Sequence, residues 1–407
     1  MEHKYDIFTL SNGLRAVCRR CEGLVNYIGI AVNAGSRDED EAHQGLAHFV
    51  EHTIFKGTDR RRSWQISSRM ETVGGELNAY TSKEETVVYT NAPAGYEERA
   101  LELLADLVTS SRFPKEEIDR ERDVVVEEIN SYLDSPSDSV YDEFEELAYA
   151  GSGLSHNILG TPESVRALTG ADCREFLDRF YTPGDMVVYC YGPADSDRFR
   201  RLVEKYFGGM HYPTVDHKRT APPAPVAFDE VRDRGNHQAN TIVGARLFGR
   251  RDPRRFALFL LNNYLAGPCM NSRLNLELRE KRGYVYTVDS SVSLMSDTGL
   301  MLIYFGSDPS AVKKCRRLIA TELDRLAQSP MSPTTFERIK RQYCGQLLVT
   351  SDHRENRAMS LAKSLLYFDT IHDIDTTAEH IRAVTAEEMR QVAELLSPSL
   401  CSTLTLL

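Results

Sequence analysis

A proline-punctuated, mostly polar stretch near the middle of the chain, with Pro213, Pro222, Pro223 and Pro225, separates two runs of residues that repeat one order of patterns. Such composition marks a linker. Before it, strand-like runs at 5–10, 14–18 and 27–33 precede a short apolar helix and a second helix at 64–72. Strands at 77–80 and 86–91 follow, then long helical patterns at 97–110, 115–133 and 140–149, a helix at 172–180 and a strand at 186–191. After it come strands at 226–231 and 240–247, helices at 254–265 and 271–281, strands at 284–294 and 300–305, and helical patterns at 311–327, 333–349 and 355–367. A repeated order of this kind is the signature of duplication. Strands mixed with clusters of helices, rather than strict alternation, indicate an α+β class with largely antiparallel sheets. The expectation is two similar domains, 1–210 and 226–407, joined by a linker at 211–225, each a sheet packed with several helices. A length of 407 residues is ample for this.

Composition removes several classes of function. No run of eighteen apolar residues exists, so no membrane span is expected. The opening residues, Met1 to Asp6, have neither the apolar core of a secretory signal nor the Arg-rich, acid-poor character of a transit peptide, which points to a cytoplasmic protein. Eight scattered cysteines do not form a disulfide framework. Cys18 and Cys21 make a C-x-x-C, but no second pair lies at zinc-ribbon spacing, so the pair reads as incidental. A net charge of −11 argues against nonspecific nucleic-acid binding. It suits cationic peptide substrates mildly, and solubility explains it equally well.

The densest chemistry is His48-Phe49-Val50-Glu51-His52. On a helix, His48 and His52 stand one turn apart on one face and can both reach a single metal ion. Glu51 lies beside them, placed to touch a water at the metal without displacing a ligand. H-x-x-E-H is the inverted order of the zincin motif H-E-x-x-H. Apolar flanks, Gly45-Leu46-Ala47 and Thr53-Ile54-Phe55, indicate a partly buried helix, where two bare imidazoles and a carboxylate are costly unless something coordinates them. The bland alternative is a surface helix with two solvated histidines.

Two histidines are half of a site, and a catalytic zinc takes three protein ligands and keeps one position open. The candidate source of the third is the acidic segment Glu121 to Ile129, after Pro114 and the acid-rich first turn Lys115-Glu116-Glu117. Glu121 and Glu128 share a helix face. Spacing alone does not choose between Glu127 and Glu128 as ligand, and a solvated acidic helix is the ordinary reading of such a segment.

At this point the residues carry a resemblance over almost the whole chain. Ala34-Gly35-Ser36-Arg37 leading into Gly45 to Thr58, and Gly74-Gly75-Glu76-Leu77-Asn78-Ala79-Tyr80-Thr81-Ser82, are similar to the signatures of the pitrilysin and mitochondrial-processing-peptidase family of zinc peptidases. Leu278 to Tyr286 resembles that family's Arg/Tyr element. The resemblance implies one Zn²⁺ held by His48, His52 and Glu128, with Glu51 as general base on a water at the metal. It implies that Glu121 supports catalysis from behind the metal, and that Asn78 and Ala79 offer a sheet edge to an extended substrate. Arg279 and Tyr286 are implied to steady the substrate carbonyl and the developing oxyanion. Each has a plain rival: a turn residue for Asn78, a solvated charge run for Arg279, a core tyrosine for Tyr286.

The repeat also says which half holds metal. The counterpart of the His helix, 254–265, contains no His or Glu, and the counterpart of the acidic helix has Glu337 as its one acid beside Lys340 and Arg341. Longer single-chain relatives have four such domains, with zinc in the first facing the Arg/Tyr pair of the fourth. For a two-domain chain this implies a homodimer with composite sites around a chamber that admits peptides and small unfolded proteins. The rival class is a non-catalytic processing-peptidase-like assembly or regulatory subunit, from which the intact motif argues away.

Overall fold

The computed structural model describes residues 5–210 and 219–407. Residues 1–4 and the stretch 211–218, which holds the first part of the expected linker with Pro213, lie outside the described residues. In chain order the first half contains β1 (Asp6–Thr9), β2 (Arg15–Arg20), β3 (Val25–Val32), α1 (Leu46–Thr53), α2 (Ser63–Glu71), β4 (Glu76–Thr81), β5 (Thr86–Pro93), α3 (Glu97–Ser110), α4 (Lys115–Leu133), α5 (Pro136–Ala148), α6 (Pro162–Ala167), α7 (Gly170–Phe180), β6 (Met186–Gly192) and α8 (Ser196–Phe207). The second half contains β7 (Asp229–Arg232), β8 (Ala239–Phe248), α9 (Arg255–Ala266), β9 (Val285–Leu294), β10 (Thr298–Ser307), α10 (Val312–Gln328), α11 (Pro333–Thr350), α12 (Arg354–Phe368), α13 (Ile374–Ala383), α14 (Ala386–Glu394) and β11 (Ser402–Leu406).

These strands form a six-stranded sheet, ordered β1-β2-β6-β3-β5-β4, and a five-stranded sheet, ordered β7-β11-β8-β10-β9. Only the β2–β6 and β7–β11 pairs are parallel. Without β1, the first order maps strand for strand onto the second, so the duplication is visible in the topology. The fold is the expected α+β pair of largely antiparallel sheets with helices. The last strand, β11, is absent from the sequence-based expectation, and it sits in the middle of its sheet.

Both faces of each sheet are covered, which is why β6 is buried along its whole length instead of alternating. In β2, Ala16 and Cys18 face one helical layer while Val17 faces another. The second layer comes from the other half of the sequence. Helix α12 lays Ala358, Leu361, Ala362 and Leu365 on Val17, Ala31, Val187 and Tyr189 of the first sheet. Helix α5 packs Val140 and Phe144 on Ile242, Leu302 and Leu404 of the second. The chain accordingly divides into two compact units that are not contiguous in sequence. Of the described residues, one unit takes those up to Asn130, His156–Thr220 and Ser351–Asp373; the other takes Ser131–Ser155, Ala221–Thr350 and Ile374–Leu407. The expected contiguous division, 1–210 and 226–407, differs from this in the two exchanged segments. Sequence periodicity marks α5 and α12 as amphipathic without saying which sheet each covers. Among the described residues no helix is long and apolar enough to cross a membrane.

Candidate metal centre

Helix α1 begins where Gly45 takes a left-handed conformation, φ 87°. A Cβ there would stand 2.6 Å from the Leu159 carbonyl oxygen, so glycine is required by both strain and space. Leu46, Ala47, Phe49 and Val50 then turn into the core, and α1 packs on α7 and on the edge strand β4. The same turn places His48, Glu51 and His52 on the remaining face. The two imidazole centroids are 4.5 Å apart.

Helix α4 brings the carboxylates. Glu128 Oε2 lies 3.9 Å from His48 Nε2 and 3.5 Å from His52 Nε2. The ligand-type atoms of His48, His52 and Glu128 all fall within 4.8 Å of one another, and they are the one such group among the described residues. Glu127 points to solvent. Glu121, two turns before Glu128, is buried and reaches His52 from behind: its Oε1 is 2.9 Å from His52 Nδ1. Its other oxygen is 2.7 Å from Lys56 Nζ. Burial opposes ionisation of Glu121, yet hydrogen bonds from His52 and Lys56 outweigh it and hold the carboxyl below the usual range. An ionised carboxylate only accepts, so His52 Nδ1 donates to Glu121, and Nε2, on the Glu128 side, is the nitrogen a metal would take.

The electrostatics separate the two histidines. Burial, reinforced by the neighbouring His52, holds His48 down at about 3, so it is neutral with a lone pair to give. Burial also pushes His52 down, but the bond to Glu121 and the surrounding carboxylates carry it upward overall. Burial raises Glu51, against smaller opposing effects from Thr81 and His52. Glu51 Oε2 and His48 Nδ1 are both buried with no hydrogen-bond partner. An unpaired buried carboxylate oxygen on Glu51, one residue from His52, asks for an explanation, and an ion with its water is a standard one. Two imidazole nitrogens and one carboxylate are the donor set and ligand number of a catalytic zinc site, so these residues fit that metal.

The other sequence candidates fall in two places. Asn78, exposed, and Ala79, half-buried against the core, lie on β4, which pairs with β5 on one side only and so presents a free edge. Arg279 and Tyr286 belong to the second unit. Arg279 is exposed near the end of a π-wound segment, Asn275–Glu280. Tyr286, 68% exposed, stands at the start of edge strand β9, between Val285, which pairs with Ser307, and Thr287, which pairs with Gly306. It is therefore the extra residue of a bulge, a device that re-aims a side chain. Cys18 and Cys21 do not converge: Cys18 is buried among the helices packed on one face of the first sheet, and Cys21 packs with the layer of α12. Lys56 was not singled out by sequence reasoning. Its spacing of four from His52 is the one signal that could have found it.

The family model described as Insulinase (Peptidase family M16) matches residues 23–162, and that of the Peptidase M16 inactive domain matches residues 167–343. An uncharacterized zinc protease of Streptomyces coelicolor is 33% identical, over 95% of this chain and 85% of that protein. The beta subunit of the mitochondrial-processing peptidase of Bos taurus is 28% identical, over 94% of this chain and 80% of that protein. A solved protease from Helicobacter pylori shares the fold with a TM-score of 0.90, at 22% identity and 99% coverage of both chains. The chain belongs to peptidase family M16, the insulinase family.

Proposed function

We propose that the chain is a zinc metalloendopeptidase that hydrolyses peptides and small unfolded proteins in the cytoplasm, with His48, His52 and Glu128 as the residues that would hold the metal. When bound, zinc supplies a Lewis acid that polarises a peptide carbonyl and acidifies water at its open position. Glu51 accepts the proton as water adds to the carbonyl and delivers it to the leaving amine. Its raised affinity for a proton, caused by burial, suits both steps. Glu121, held by Lys56, fixes the ring of His52. The free edge of β4 at Asn78 and Ala79 aligns an extended substrate as an added strand. Arg279 and Tyr286, exposed and without side-chain hydrogen bonds among the described residues, act on the site of a second copy in a homodimer, steadying the carbonyl and the oxyanion.

The observation that carries the reading is the His48–His52–Glu128 cluster beside the unpaired oxygen of Glu51. Zinc content and cleavage of a mixed peptide pool test it. The parent should hold one zinc per chain and lose cleavage on chelation, with zinc restoring it. Glu51→Gln should keep the zinc and lose turnover by about 100-fold or more. A parent without zinc and without cleavage would overturn the enzyme and leave a non-catalytic subunit.

A further inference from the structure

Helix α1 starts without a cap of its own. Its N-cap is Gly45 and its first turn contains no acidic residue, although this is the end where unpaired N–H groups and the positive dipole end lie. Glu39, outside the motif, fills both needs. Its Oε2 accepts from Gly45 N at 2.8 Å and its Oε1 from Ala47 N at 2.7 Å. Ala47 directly precedes His48. Burial pushes the Glu39 carboxyl well up, while the two N–H donors and the charge of Lys83 pull against it. Both oxygens accept hydrogen bonds and neither donates, so the carboxylate is the form this geometry satisfies.

Glu39 is itself held on a rigid frame. The preceding turn is tied to the β4–β5 loop by Ser36 N to Ser82 O at 3.1 Å and by Arg37 N to Lys83 O at 2.8 Å. Arg37 and Glu84 form a buried ion pair at 2.6 Å. Arg219, on the described side of the linker, grips Asp38 through Nε at 2.9 Å and Nη2 at 2.8 Å, and Thr220 O accepts from Arg37 at 2.9 Å. The carboxylate therefore cannot drift with the helix; it sets where the helix begins.

We propose that Glu39 is a positioning residue for the metal site, which fixes the N-terminus of α1 and thereby the place of His48 opposite Glu128. The inference rests on the metallopeptidase reading above. A cap that only stabilised the fold would leave the metal affinity of the folded protein untouched, and this difference is measurable.

Zinc affinity is measured by competition with a chromophoric chelator for the parent, Glu39→Gln and Glu39→Asp, together with the visible spectrum of each cobalt(II)-loaded protein and its Tm. Glu39→Gln keeps the shape but must turn an NH₂ toward one of the two N–H groups. It should bind zinc about 10-fold more weakly and shift the cobalt bands, with Glu39→Asp in between. Glu39→Asp retains a carboxylate and carries the test if Glu39→Gln fails to fold. Variants with a lower Tm but parental zinc affinity and cobalt spectrum overturn the proposal alone. A parent that takes up no zinc overturns the metallopeptidase reading, and this inference with it.

Discussion

Lys56 illustrates how the chemistry of single residues is organised. Its ammonium occupies one oxygen of Glu121 while His52 occupies the other, so a buried carboxylate is satisfied on both sides and its orientation is fixed. Replacing Lys56 by Met leaves one of these oxygens without its charge partner and loosens the ring of His52. Zinc affinity should fall by about 10-fold, the scale seen when a partner of a metal-bound histidine is lost. Chelator competition checks this, with Glu51→Gln as a control whose zinc affinity should stay near the parent's. The motif His48, Glu51 and His52 was legible because helical spacing brings its members together without help from elsewhere. The Lys56 contact was not, because α1 ends at Thr53 and the chain reaches Lys56 through a 3₁₀ turn, while the partner lies on another helix.

At the scale of elements, the segment that presents Arg279 shows what pattern reading finds and what it leaves out. The sequence pattern predicts a helix over 271–281, with Arg279 in a run of charges on a solvated face. The structure is helical over 273–280, shorter than expected and π-wound at Asn275–Glu280, and its charges fold onto Glu277. Lys281 is 2.6 Å from Glu277, Arg282 2.7 Å and Arg273 3.1 Å, and Arg282 also donates to the Glu277 carbonyl. The hydrogen bond from Lys281, then that from Arg282, hold the Glu277 carboxyl down at about 2. A carboxyl whose folded value lies below its ordinary value of 4.5 contributes stability above that pH and loses it as the pH falls toward about 2. Denaturant unfolding at a series of pH values should therefore show the parent losing stability across this window more steeply than Glu277→Gln. Equal slopes for the two proteins would count against the anchor.

At the scale of the whole molecule, the exchange of α5 and α12 makes each compact unit depend on both halves of the chain. A chain ending at residue 210 lacks Leu361, Leu365 and Leu366, which bury against the first sheet. Three such leucines are worth together about 5–9 kcal/mol, against a net stability of about 5–15 kcal/mol for a typical domain. The truncated chain should fail to give a cooperative unfolding transition by circular dichroism, whereas co-expression with residues 219–407 should restore one. The shared-site homodimer is tested by mixing Arg279→Ala with Glu51→Gln chains, each inactive alone. Return of peptide cleavage on mixing is expected, and its absence would place Arg279 outside the partner's site. The sequence by itself determined the duplication, the α+β class and the His-Glu-His helix, because periodicity and motif spacing are local properties of the chain. Spacing left Glu127 and Glu128 open, and it is the placement of α4 in the folded chain that brings Glu128 to the imidazoles and leaves Glu127 exposed. Only the tertiary structure decided which helix covers which sheet, where β11 inserts, that Glu39 accepts from the first N–H groups of α1, and that Lys56 pairs with Glu121. Those outcomes depend on which distant apolar faces and unpaired polar groups meet, and a local pattern does not encode its partner.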